Sequence, residues 1–328
     1  MRETTCWIVT EGSIGMENQC RGLAEALALR PAMKRVDPRL PWLLLPADCW
    51  PWPFLSLGRG SDRLRPPWPD ILITCGRKGV PFALAIKRAS GGRTFAIHIQ
   101  DPLIDPAKLD LVAVPSHDRI RGPNVIVTRG AIHPVTPAKL AAAAAHFRPA
   151  FAALPRPLVA VLIGGPNGRY RLEPADMTAI AERLAALARG TGAGLCVTTS
   201  RRTGRENERV LRERLAGVPA VIWTGEGENP YLGMLALADH VLVTADSVSM
   251  VTEACATGKP VYIIELAGGS RRFRLFHDEM RAAGMTRPFA GRLESASYEP
   301  CFEAERVAAE VRRRLAQREA AKVAASGA

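Results

Sequence analysis

The sequence predicts an α/β protein of two doubly wound domains facing one another across a cleft. Three observations carry that expectation. The chain has 328 residues, about two domains at ordinary domain size. Short continuous apolar runs alternate with helical patterns along most of it, as parallel strands covered on both faces require. The alternation breaks around residues 147–157, where Pro149, Pro155 and Pro157 end a helix and open a new strand. That break divides the chain into residues 1–150 and 151–328.

In the first half, strands are expected at 7–10, 71–75, 94–99, 111–114 and 125–128, with helices at 18–29 and 80–89. In the second half, strands are expected at 158–163, 195–199, 220–223, 240–244 and 261–265. Helices fit between them at 175–188, 206–215, 231–238, 248–257 and 273–283. Residues from 303 to about 322 read as a charged Ala- and Arg-rich helix closing the second domain. Ligands of such sheets bind at the carboxyl ends of the strands, so the loops there are the ones to search.

An apolar fraction of 47% with 23% charged residues excludes disorder, collagen and a disulfide-stapled scaffold. A formal net charge of +12 favours anionic partners, although many arginines of such a chain serve only as solvated surface. Cys6, Cys20, Cys49, Cys75, Cys196, Cys255 and Cys301 form no C-x-x-C pair, and several fall in apolar elements, so a reducing compartment is expected. The apolar run at 6–10 is too short for a signal peptide, and no run is long enough to span a membrane. The expected location is the cytoplasm. No H-E-x-x-H and no D-x-D pair between strands occurs, so no metal is expected. No basic-aromatic module suggests nucleic acid either.

One stretch departs from the alternation. Residues 39–70 hold Trp42, Trp50, Trp52 and Trp68 among prolines and leucines, beside Arg59, Arg63 and Arg65. Trp and Leu next to cations suit a membrane interface with acidic lipid, which would put the protein peripherally on the cytoplasmic face of the inner membrane. The same composition suits a Pro-stiffened connection that buries its tryptophans on the first domain.

The strand at 240–244 runs into Ala245-Asp246-Ser247-Val248-Ser249 and then a helix. Asp246 or Ser247 suits the N-cap, and the free amides and dipole behind it suit a diphosphate. Ser247 and Ser249 add hydroxyls, and Glu253 lies on the same helical face as Ser249, placed to hold a ribose. Three neighbouring strands end alike. One leads into Gly164-Gly165-Pro166-Asn167-Gly168, whose glycines let a ligand approach the backbone. Another leads into Ser200-Arg201-Arg202, where Arg201 and Arg202 suit phosphate. The third leads through Glu228-Asn229-Pro230-Tyr231, with Asn229 within reach of a base. Ordinary turns account for one or two such loops, and a ligand accounts better for four.

In the first half, Ser13 to Gln19 opens a helix after a strand, and Glu17 is a candidate catalytic carboxylate within it. The loop Cys75-Gly76-Arg77-Lys78-Gly79 adds cations after a second strand. His98 and Asp101 lie at the end of a third as candidate general bases, with a structural, hydrogen-bonded role for His98 equally open.

These same stretches, at 13–19, 75–79, 98–102, 164–168, 199–204, 228–231 and 245–253, resemble the mitochondrial-fission ELM-type family, which is also described as glycosyltransferases. The resemblance runs from Trp7 to about Ala283. It implies a GT-B fold of two Rossmann-like domains and metal-independent chemistry. The Ser-rich turn leading to Glu253 also looks like the donor element of lipid-linked GT-B transferases, in which the glutamate holds the ribose. The expected function is transfer of a sugar from a nucleotide-diphosphate sugar to an acceptor, lipid-linked or a cell-envelope glycan, with no cofactor beyond the donor. An epimerase-like nucleotide-sugar enzyme and a non-catalytic membrane scaffold are the alternatives.

Overall fold

The protein is represented by a computed structural model that describes residues 3–326. Contacts divide the chain into two compact units, Met1–Pro134 with Phe302–Ala328, and Val135–Cys301. In unit 1 the elements run β1 (Cys6–Thr10), α1 (Ile14–Ala26), β2 (Pro31–Arg35), β3 (Ile71–Cys75), α2 (Val80–Ala89), β4 (Phe95–Ile99), β5 (Leu111–Pro115) and β6 (Val125–Thr128). They form a parallel sheet in the order β2-β1-β3-β4-β5-β6. The winding reverses between β1 and β3, so the loops after those strands flank the crevice of this sheet. β3, β4 and β5 are buried along their whole length.

Unit 2 runs α3 (Pro137–Phe151), β7 (Leu158–Ile163), α4 (Pro174–Thr191), β8 (Gly194–Thr199), α5 (Arg205–Arg214), β9 (Ala220–Trp223), α6 (Tyr231–Leu237), β10 (His240–Thr244), α7 (Val248–Cys255), β11 (Val261–Ile264), α8 (Arg271–Ala282) and β12 (Thr286–Pro288). Its parallel sheet has the order β12-β11-β10-β7-β8-β9. Counted within the unit, this is the Rossmann order, with its switch point between β7 and β10. Helices α4 and α5 cover one face through Met177, Leu184 and Leu211, and α6, α7 and α8 cover the other through Met234, Val251 and Phe276.

The division differs from the expected one at residue 150. Helix α3 is capped by Thr136, which accepts from Lys139 N at 3.2 Å, and it packs on α6. A Cβ added to Gly233 would lie 2.5 Å from Phe147, so the two helices touch closely. Pro155 and Pro157 thus mark the start of β7 and not the seam. The final helix, α9 (Glu303–Ser326), belongs to unit 1. It buries Val307, Ala308 and Val311 beside Leu23 of α1, and Arg312 donates to the Ala26 carbonyl. None of the helices is long and apolar enough to cross a membrane among the described residues.

The Trp-rich stretch packs most of its rings. Trp50 is buried edge-on to Phe82 at 6.0 Å, Trp68 stacks on Phe54 at 5.5 Å, and half-buried Trp42 donates from Nε1 to the Pro51 carbonyl at 2.7 Å. Trp52 remains exposed.

Candidate functional site

The switch point of unit 2 is organised by Asp246, whose side chain is wholly buried. Thr244 Oγ1 donates to its Oδ1 at 2.7 Å; Gly165 N and Arg202 Nη2 donate to Oδ2 at 3.0 and 2.8 Å. Gly164 N donates in turn to Thr244 Oγ1 at 2.8 Å, and Arg202 Nη1 to the Gly165 carbonyl at 2.8 Å. One carboxylate therefore ties together the loops after β7, β8 and β10. Such a charge is tolerable when buried only because donors surround it.

The same packing accounts for the two glycines. A Cβ on Gly164 would lie 2.3 Å from the Asp246 oxygens, and one on Gly165 would lie 2.3 Å from the Arg202 carbonyl carbon. The room these glycines leave on their side-chain side is taken by Asp246 and by the Arg202 backbone. Asp246 is not the cap. Ser247 is, accepting from Met250 N at 3.3 Å. Val251 N bonds the Ser247 carbonyl, leaving the amides of Val248 and Ser249 without an intrahelical partner. Ser249 is half-buried in this first turn, and Arg201 is exposed at the end of β8.

Glu253 is buried on α7 and accepts from the Tyr231 hydroxyl at 2.5 Å. Burial pushes its carboxyl up to about 7 against the opposing pull of that bond. The Tyr231 phenol is raised well above its ordinary range, by burial first and then by the charge of Glu253, so it stays protonated and donates. Asn229 is exposed and turned inward on its own backbone, its Oδ1 accepting from Tyr231 N at 3.0 Å, so in this structure it closes a turn just ahead of α6.

Two elements beside the switch point were not singled out from the sequence. The loop after β11, Ala267-Gly268-Gly269, leads into Ser270, which caps α8 ahead of Arg271 and Arg272. Gly269 N donates to the Arg169 carbonyl at 2.7 Å, and Arg171 N to the Ala267 carbonyl at 2.9 Å, so this loop is laced to the one after β7. A Gly-Gly-Ser-Arg-Arg run directly after an apolar strand is a signal that was there to be read. The other element is His277 on α8, buried, with its Nε2 2.8 Å from the Ala245 carbonyl. Burial lowers its pKa, so the neutral ring donates and fixes the last residue before Asp246.

Of the three candidate catalytic residues of unit 1, His98 and Glu17 are buried and held by other groups, and Asp101 is half-buried. His98 lies inside β4 with no exposed surface, its Nδ1 2.8 Å from Thr74 Oγ1, and burial lowers its pKa to about 3. It cannot exchange protons with a substrate. Glu17 is buried and held by Arg35, with Nε–Oε1 at 2.7 Å and Nη2–Oε2 at 3.2 Å. This two-pronged pair joins α1 to the end of β2. Asp101 is half-buried and accepts from Leu103 N at 2.8 Å within a tight turn. In the cation loop after β3, Lys78 pairs with Glu11 at 3.0 Å, and Arg77 donates to the Leu45 carbonyl at 3.2 Å.

Two parallel, doubly wound sheets of these strand orders define an α/β protein of the GT-B class. The solved structures it resembles agree. Against UDP-GlcNAc 2-epimerase from Methanocaldococcus jannaschii the TM-score is 0.55 at 13% identity, covering 95% of this chain and 100% of that one. Against a UDP-glucosyltransferase from Polygonum tinctorium it is 0.50 at 12% identity, covering 92% and 88%. These likenesses concern the fold. The chain belongs to the mitochondrial fission ELM1 family, whose model matches residues 14–315. It is 34% identical over 277 residues to the mitochondrial fission protein ELM1 of Arabidopsis thaliana. That match covers 76% of this chain and 65% of the plant protein, so the chain spans somewhat less than two thirds of that relative's length.

Proposed function

We propose that unit 2 binds a nucleotide-diphosphate sugar and that the protein transfers the sugar to an acceptor, lipid-linked or a cell-envelope glycan, without a metal. The observation carrying this reading is the bond from Tyr231, at the start of α6, to buried Glu253 of α7, the helix that starts at the switch point. Tyr231 holds Oε2 of the carboxylate, leaving Oε1 to accept from the ribose hydroxyls. The diphosphate meets the amides of Val248 and Ser249, the Ser249 hydroxyl and Arg201, which stabilise the charge of the leaving group. Asp246, Gly164, Gly165 and Arg202 act behind them by fixing the loops.

The fold likeness to the Methanocaldococcus epimerase supports a second reading, a nucleotide-sugar enzyme that works without an acceptor. Release of monosaccharide or its epimer with no acceptor present favours it. The plant relative's name supports a third, a non-catalytic scaffold, for which Glu253→Ala is silent. A thermal-shift panel of UDP, GDP, ADP, CMP and their sugars tests the site itself. One nucleotide family is expected to raise Tm, and Glu253→Gln to weaken it about tenfold or more, the scale of a hydrogen bond to a charged group. If no nucleotide shifts Tm at millimolar concentration, the donor site is wrong.

A further inference from the structure

Large apolar side chains exposed among the described residues are few, and half of them crowd into one stretch. Leu40 (63%), Leu44 (78%), Trp52 (75%) and Leu55 (60%) stand out to solvent, while the others, Ile14, Leu103, Leu275 and Val323, are scattered. The crowding is held in space as well as in sequence. Trp42–Leu44 and Pro53–Ser56 form two one-turn helices. Trp42 Nε1 donates across to the Pro51 carbonyl at 2.7 Å, Arg39 N to the Ser56 carbonyl at 2.9 Å, and Arg39 Nη2 to the Leu55 carbonyl at 3.1 Å. Beneath them, buried Trp50 and Leu64 anchor the stretch in the core around Phe82. The turns are thus preorganised, and their exposed residues have no intramolecular reason to be apolar.

The same stretch carries Arg39, Arg59, Arg63 and Arg65, all exposed, with Arg39 tied to the tip through the Leu55 carbonyl. Of the nearby acids, Asp48 pairs with Lys108 at 2.5 Å and Asp62 accepts from the Arg35 amide at 2.7 Å, and Asp37 is exposed, so the four arginines still outnumber the acids and the stretch is net positive. An apolar tip rimmed by guanidinium groups matches an acyl boundary beneath a layer of phosphates, with Trp at headgroup depth. A second copy of the chain fits poorly, because a two-fold contact here sets one arginine rim against another.

We propose that this tip, Leu40, Leu44, Trp52 and Leu55 within its arginine rim, docks unit 1 on an anionic phospholipid surface. The proposal does not depend on the nucleotide-sugar reading.

The test is sedimentation of the full chain with phosphatidylcholine vesicles, with and without phosphatidylglycerol, at low and high salt. The wild type is expected to pellet with the anionic vesicles, less so at high salt. Leu44→Glu/Trp52→Glu should lower the bound partition at least about tenfold at unchanged Tm. Arg63→Glu/Arg65→Glu should weaken binding and flatten its salt dependence. If the acidic pair impairs folding, Leu40→Gln/Leu55→Gln repeats the measurement with neutral residues, and the same loss is expected. Three results overturn the proposal. One is no pelleting of the wild type with anionic vesicles at low salt. Another is undiminished pelleting of the folded variants. The third is concentration-dependent dimerisation, abolished by Leu44→Glu/Trp52→Glu, without vesicle binding.

Discussion

Replacing Glu253 by glutamine opposes stability to function in a way that can be measured. In the folded protein the Glu253 carboxyl sits at about 7 against a usual value of 4.5. The unfolded chain therefore loses its proton first as pH rises, and stability falls across the window from about 4.5 to about 7. At 1.36 kcal/mol per pH unit, the buried charge costs roughly 3 kcal/mol above that window. Glutamine keeps the shape and an oxygen for Tyr231 but carries no charge. Glu253→Gln should therefore be about 3 kcal/mol more stable than the wild type at pH 8 and nearly equal to it near pH 4.5. For a unit of this size that is a rise in Tm of roughly 6–12 °C. Nucleotide affinity should fall in the same variant. The assay is thermal denaturation of both proteins from pH 4.5 to pH 8, with calorimetric titration of the nucleotide that stabilises the wild type. Parallel stability curves would refute the burial argument. Retained affinity would refute the ribose role while leaving the burial argument standing.

Asp246→Ala should destabilise unit 2 by about 3 kcal/mol, because Gly165 N and Thr244 lose a buried acceptor; a melting temperature within a degree or so of wild type would contradict this. Gly164→Ala should lower stability by roughly 1–3 kcal/mol or more, since its Cβ has to displace the Asp246 carboxylate, and limited proteolysis of the 164–168 loop should detect the strain. Glu17→Gln should lower stability by about 1 kcal/mol or less, Arg35 being largely exposed, and leave turnover intact; lost turnover in a folded variant would restore Glu17 as a catalytic group. The His98 ring, lowered to about 3, should show no titration by NMR between pH 5 and 8. Its contribution to stability runs opposite to that of Glu253, falling as pH drops below about 6.5, where the unfolded imidazole gains its proton.

The central strands were legible because a parallel sheet buried on both faces demands unbroken apolar runs, as in Leu-Val-Ala-Val-Leu-Ile of β7. The edge strands β2 and β12 were not. Pro-Ala-Met-Lys-Arg and Thr-Arg-Pro carry no such run, whereas the other two edges, β6 and β9, keep the apolar Val-Ile-Val-Thr and Ala-Val-Ile-Trp and were expected. Asp246, Gly164, Gly165 and Arg202 of the cluster were named from the sequence, yet as ligand contacts, and Thr244 was read only as the end of a strand. That they bind one another depends on loops that are far apart along the chain. His98 could have been read correctly, since a residue within a run apolar on both faces has no solvent to face. The arginine that occupies Glu17 lies on β2, one of the strands the sequence did not disclose.

Because α9 returns to unit 1, the unit whose sheet is made first is finished last. While residues 135–301 emerge from the ribosome, the α1 face of that sheet waits without Val307, Ala308 and Val311. Unit 2 has every strand it needs once residue 288 is free of the exit tunnel. The nascent chain thus carries a closed second unit between two parts of an open first one. A frameshift or proteolytic clip between residues 288 and 303 leaves the second sheet complete and uncovers the first.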